Sequence, residues 1–252
     1  MFQNIIENLE TLVSTLIFAS IFFAGPRLRL ILETNKDYRR FVSFGAGIAI
    51  AYVFMAFLPE LSEASAIFVE QTRHLALISP EHRVYGASLL GFVLFYGIEY
   101  IANWKPAVGQ EAPEADPTER IRFVATIAAY SLYAGLICYL LVHSLESGYT
   151  NEAIYTVAMA LHFTSLRYSL WNEYGDLFAR MGKNILGVSC LVGWLIAVFL
   201  PQPLTVIITL LGFVSGGVIM TTIIAELPGE KEGHFLYFFL GAVLYAGLLI
   251  LI

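Results

Sequence analysis

Eight near-continuous apolar runs dominate this chain: Leu12–Leu32, Phe41–Pro59, Val84–Ala102, Ile121–His143, Ala153–Trp171, Asn184–Leu200, Leu204–Leu227 and Phe235–Ile252. A bilayer core about 30 Å thick takes about 20 helical residues to cross. Inside it every backbone polar group must be satisfied within the segment or in a closed barrel. Barrel strands alternate apolar and polar residues, and these runs do not. The expected fold class is therefore all-α: a polytopic membrane helix bundle of eight transmembrane helices, forming a single transmembrane domain over residues 1–252. Only 13% of the residues are charged and 58% are hydrophobic, against about 25% charged in soluble domains. No room is left for a separate soluble domain.

Lysine and arginine set the expected orientation. The ends of runs one, three, five and seven and the segments that follow them hold 12 of the 14 cationic residues, with Arg167 counted as snorkelling to that side, and the opposite side holds only Arg73 and Arg83. This places both termini outside the cytoplasm, in a bacterial inner (plasma) membrane. The start, MFQNIIENLE, lacks a cationic n-region, so the first run reads as a retained span rather than a cleaved signal peptide. Lys105–Glu119, rich in proline and acid, reads as a disordered cytoplasmic linker. Glu60–Arg83 reads as a solvated outer loop whose carboxylates and histidines are surface groups. The net charge of −6 and the absence of a basic patch give no basis for nucleic-acid binding. Cys138 and Cys190 lie inside apolar runs and read as buried free thiols.

Two internal patterns go beyond composition. First, Phe44–Glu60 echoes Phe213–Gly229, matching at Phe44/Phe213, Gly47/Gly216, Ile50/Ile219, Ala56/Ala225, Leu58/Leu227 and Pro59/Pro228. The two runs cross in opposite directions under the charge rule, as an inverted repeat requires. Second, the fifth run carries His162, an ionisable residue near mid-membrane. At helical spacing Tyr155, Ala158, His162, Ser165 and Ser169 fall on one small or polar face. An intramembrane histidine is a functional candidate by default; a neutral imidazole bonded to a neighbouring hydroxyl is the equally weighted alternative. Tyr130 and Tyr133 read as packing residues with satisfied hydroxyls. Glu99 and Arg167 read as an ion pair or as interfacial side chains. Glu226 and Glu60, at opposite ends of the echoing runs, are candidates for cation contacts at the two mouths.

On these features the chain resembles the ZIP family of metal permeases. The likeness rests on eight spans with both ends outside, a variable cytoplasmic segment after span three, and three local patterns: GAGIAIAYVFMAFLPELSEA, GGVIMTTIIAELP and ALHFTSL, the last similar to the family's ALHEIPEG. The resemblance implies inverted symmetry between spans one to three and six to eight, with spans four and five between them supplying most metal ligands. The ligand positions have mostly changed. They read Ala56, Tyr130, Ala134, Phe163 and Leu166, with His162 retained and Glu226 one position off the usual acidic place. Zinc takes about four ligands from His, Cys or carboxylate, so no metal site and no cofactor are expected. The substrate-pathway candidates are His162, Tyr130, Tyr133, Ser165, Ser169, Glu226 and Glu60. The expected protein is a ZIP-like permease fold that is not an ordinary zinc or iron transporter. The alternative is a non-transporting scaffold, regulator or subunit, with the bilayer and a homodimer or larger membrane complex as partners. No catalytic constellation appears in the spans, so enzymatic activity is not expected.

Overall fold

A computed structural model describes residues 8–24, 36–72, 80–103, 117–143, 149–200, 202–223 and 234–251. Among them all regular structure is helical, in nine α-helices: α1 (Leu9–Phe23), α2 (Lys36–Tyr52), α3 (Leu58–Thr72), α4 (Pro80–Asn103), α5 (Pro117–Val142), α6 (Tyr149–Leu177), α7 (Lys183–Phe199), α8 (Leu204–Thr221) and α9 (Phe235–Leu251). Short π-helical segments join α2 to α3 (Val53–Phe57) and α6 to α7 (Phe178–Gly182). Among the described residues five stretches are long and apolar enough to cross a membrane: Ser43–Thr72, His82–Ala102, Glu119–Val142, Glu152–Phe199 and Leu204–Thr221. α1 and α9 are apolar but shorter.

Two of the sequence expectations need correction. Of the loop expected at Glu60–Arg83, residues 60–72 and 80–83 are helical and residues 73–79 lie outside the described residues, and Pro59 does not end the second run. Pro59 is the second residue of α3, next to the π-turn, where the regular i→i−4 ladder is already interrupted and a missing N–H costs little. Beyond it Leu61, Ala64, Ser65, Phe68 and Thr72 are buried at helical spacing, so this segment is an amphipathic helix rather than a solvated loop. The linker expected at Lys105–Glu119 ends earlier, because α5 begins at Pro117, a residue suited to the first turn. Residues 104–116 of that linker lie outside the described residues.

The stretch Glu152–Phe199 covers 48 residues. Straight, it would run about 72 Å at 1.5 Å per residue, more than twice a bilayer core. It breaks at Gly175, with φ 47° and ψ −117°. Among the described residues Gly175 alone has positive φ, a region that disfavours any side chain bearing Cβ. The contacts show that the chain reverses there. α6 runs alongside α1 in the same sense, with Thr156 against Ser14 and Phe163 against Phe18. α7 runs against α1, with Gly187 near Phe23 and Trp194 bonded to Thr11.

The same reasoning orients the remaining rods. α5 runs parallel to α7, because Gly182 meets Ile127 and Gly193 meets Gly135. α4 runs opposite to α5, because Phe95 packs on Tyr133 while Glu99 meets Tyr130. Counting α2, the π-turn and α3 as one rod, the described residues form eight rods that alternate in direction. Their tightest junctions are backbone to backbone. A Cβ on Gly47 would strike the Phe238 carbonyl oxygen, and one on Gly241 would strike that of Phe44, locking α2 to α9. A Cβ on Gly216 would strike the Ser88 carbonyl, and one on Gly91 that of Phe213, locking α8 to α4. Small residues at such seams replace the hydrophobic drive that is missing between helices in lipid.

Candidate functional site

α6 turns its core face along Ala158, Met159, His162, Phe163, Leu166 and Leu170, all buried. The face differs from the one expected from polarity, because Ser165 and Ser169 are only half-buried at its flanks. His162 is 2% exposed. Its Nε2 is hydrogen-bonded to the Tyr133 hydroxyl at 3.0 Å, and the Tyr133 hydroxyl lies 3.5 Å from Thr221 Oγ1 on α8. One turn away Tyr130 donates to Glu99 Oε1 at 2.6 Å. Both tyrosines are fully buried, so their hydroxyls need such acceptors or donors. Arg167 donates from Nη2 to the carbonyl of Ala24, the residue that ends α1, at 2.6 Å. That places a cation where helix carbonyls are left without intrahelical partners. Glu226 lies outside the described residues.

Around His162 the space is filled with rings. Phe22 and Phe18 pack on Phe163 with centroids 5.1 and 5.3 Å apart, and Phe163 neighbours His162 at 5.7 Å. His162 meets Tyr133 at 5.9 Å, and Tyr133 meets Phe95 at 4.9 Å. The row crosses the bundle from α1 through α6 and α5 to α4. Ala134 and Leu166, beside Tyr133 and one turn from His162, are themselves 0% and 2% exposed. This is a packed aromatic plug with one imidazole in it. Among the described residues no three His, Cys, Asp or Glu side chains are gathered so as to hold a metal ion.

Beside this plug lies a cavity of about 550 Å³. Its deepest walls are Ile137, Met159 and Val218, each one turn from Tyr133, His162 and Thr221 respectively. Leu140, Leu211 and Val214 continue the wall, and the rings of Tyr52 and Tyr155, 5.9 Å apart and edge to face, form another part of it. The lining also includes Glu10, Glu60, Glu63 and Glu152, with His143. Glu10 and Glu63 are exposed, while Glu60, Glu152 and His143 are half-buried. These residues come from the start of α1 and α6 and from the end of α5 and the early part of α3, so they share one end of the bundle. A short polar chain fixes that rim: Thr156 donates to Ser14 Oγ at 2.7 Å, and Ser14 donates to Glu152 Oε1 at 3.1 Å. Tyr245 of α9 donates to the Ile154 carbonyl at 2.8 Å, tying the last helix to the first turns of α6.

Of the sequence candidates, the structure brings His162 and Tyr133 together. It pairs Tyr130 with Glu99 instead, and sets Glu60 in the cavity lining. Glu10, Glu152, Thr221 and the plug residues Phe18, Phe22 and Phe95 were not singled out from sequence. Glu152 had a readable signal: Glu152, Tyr155, Met159 and His162 recur at steps of three and four, which continues the histidine face toward the end of α6. The phenylalanines carried none, because an apolar residue on an apolar run does not announce which neighbours it meets.

The chain matches no protein-family model and no curated protein.

Proposed function

We propose that this protein is a membrane permease of ZIP-like architecture, with eight spans in an inverted repeat, whose solute is not an ordinary transition-metal ion. The observation that carries the reading is the pairing of the glycine seams. Laying Phe44 on Phe213 and Gly47 on Gly216 also lays Phe238 on Ser88 and Gly241 on Gly91. Each glycine then meets the carbonyl of the corresponding residue in the opposite half. Chance agreement among apolar letters predicts no such agreement between partners. The π geometry repeats as well. It starts at Val53 in the first copy and at Thr222, the matching position, in the second. The two helices run in opposite senses, since α2 ends and α8 begins at the cavity end, as an inverted repeat demands.

The five long apolar stretches make a membrane protein of the chain, and the alternation of eight rods supports eight crossings. The charge bias then puts the cavity rim outside the cytoplasm and the cationic segments inside. On this reading the structure is open outward and closed by the plug below His162. The ligand positions Ala56, Tyr130, Ala134, Phe163 and Leu166 argue against ordinary zinc or iron transport, because a desolvated divalent ion needs several anionic or nitrogen ligands.

Reconstituted protein tests the reading. A proteoliposome flux assay should show saturable uptake of some cationic solute and none of zinc or manganese, and zinc should not raise the melting temperature as a native-state ligand does. Saturable zinc or manganese uptake that depends on His162 would contradict it. The scaffold reading is favoured only if the protein is recovered with a stoichiometric partner and carries no solute.

A further inference from the structure

The cavity has a chemistry that its neighbourhood does not explain. Its lining includes four carboxylates and, among the described residues, neither lysine nor arginine. Those carboxylates do not converge, since no metal-holding group of three appears among the described residues. Below them the walls are aliphatic side chains and the two rings of Tyr52 and Tyr155. A small hydrated metal ion would gain nothing from such walls. An anionic amphiphile would meet negative charge at the entrance. A neutral apolar molecule would leave the acidic rim without a purpose.

We propose that this cavity binds a monovalent organic cation with an apolar body, of the alkyl- or arylammonium class. The cationic head sits among Glu60, Glu152 and the outer carboxylates, and the apolar body extends toward Ile137, Met159 and Val218. The volume of about 550 Å³ falls in the range of pockets that enclose small organic ligands, about 300 to 1,000 Å³. Tyrosine faces attract ammonium groups in a partly desolvated site. The half-buried Glu152 is held by Ser14 and so presents its charge in a fixed place. The proposal rests on the permease reading for its direction: the cavity is where such a solute would wait before the plug opens.

The experiment uses full-length protein in an uncharged maltoside detergent. The probes are 2-phenylethylammonium, its near-isosteric neutral analogue 2-phenylethanol, and zinc alone. The expected result is a saturable rise of several degrees in melting temperature with the ammonium, at least tenfold weaker binding of the alcohol, and no rise with zinc. Leu211→Trp, which fills the cavity, should abolish the ammonium effect. Glu60→Gln and Glu152→Gln leave the walls intact, and each should weaken ammonium binding by up to about fivefold, as expected of a partly exposed charge pair, without changing alcohol binding. Equal binding of alcohol and ammonium would overturn the proposal and show a simple apolar sink. Absence of any ammonium effect in the wild-type protein would overturn it too. Uptake into proteoliposomes separates the two readings. Binding without uptake upholds the site and contradicts the permease, whereas uptake of a different solute with no ammonium binding does the reverse.

Discussion

At the residue scale, Phe163 and Tyr133 carry different weights in the plug. Phe163 is fully buried against Phe18 and Phe22, so Phe163→Ala leaves a void and should cost about 3 kcal/mol or more. Tyr133→Phe removes one hydroxyl from the His162 pair and should cost only about 1 kcal/mol. Denaturation in mixed micelles checks the order. Equal losses would show that the hydrogen bond, not the ring packing, holds the plug. Gly175 gives a second prediction. Nothing lies within 4 Å of where its Cβ would stand, so Gly175→Ala meets backbone strain alone. The same unfolding assay should show a loss of about 1–3 kcal/mol, and a neutral substitution would mean that the break at Gly175 relaxes freely. His162 was visible in the sequence as the one histidine near the middle of an apolar run. Its environment was not, because Phe18, Phe22 and Phe95 come from elements far away in the chain.

At the element scale the glycine seams decide how closely helices approach. Gly47→Ala and Gly216→Ala each drive a methyl into a carbonyl oxygen of the facing helix, Phe238 and Ser88 respectively. Helices must then separate, at about 2 kcal/mol or more for each. Gly97, also helical, has open space around its Cβ position, so Gly97→Ala should be neutral or slightly stabilising. Thermal denaturation of the three variants in detergent compares them directly. If Gly216→Ala were as harmless as Gly97→Ala while Gly47→Ala was not, the equivalence of the two seams would fail. The seams were half legible beforehand. The echo of Phe44–Glu60 in Phe213–Gly229 located two of the four glycines, whereas their partners Ser88 and Phe238 lie in two further runs, alike at Gly91/Gly241, Val93/Val243, Leu94/Leu244 and Gly97/Gly247, whose likeness shows only once the seams give the register. The helix of residues 58–72 was missed for a local reason: Leu-Pro reads as a stop, and only the π-turn before it makes the proline tolerable.

At the scale of the whole molecule, the helical class and the five long apolar stretches were legible in hydropathy, since a helix satisfies its own backbone in lipid. Hydropathy could not reveal the cavity, which is assembled from one turn of each of several helices. Nor could it show that the space expected for an ion is filled by rings. Orientation remains an inference from the 12 cationic residues gathered on one side, and the cavity gives it a direct test. The measurement is labelling of Leu211→Cys, a cavity-wall residue, with a membrane-impermeant thiol reagent, in a background where the buried Cys138 and Cys190 are replaced by alanine. Right-side-out and inverted vesicles carry the same protein. Labelling is expected in right-side-out vesicles and protection in inverted ones if, as proposed, the cavity opens outward and the plug of Phe163, His162 and Tyr133 closes it toward the cytoplasm. Labelling from the cytoplasmic face alone, or equally from both faces, would contradict an outward-open bundle closed at His162.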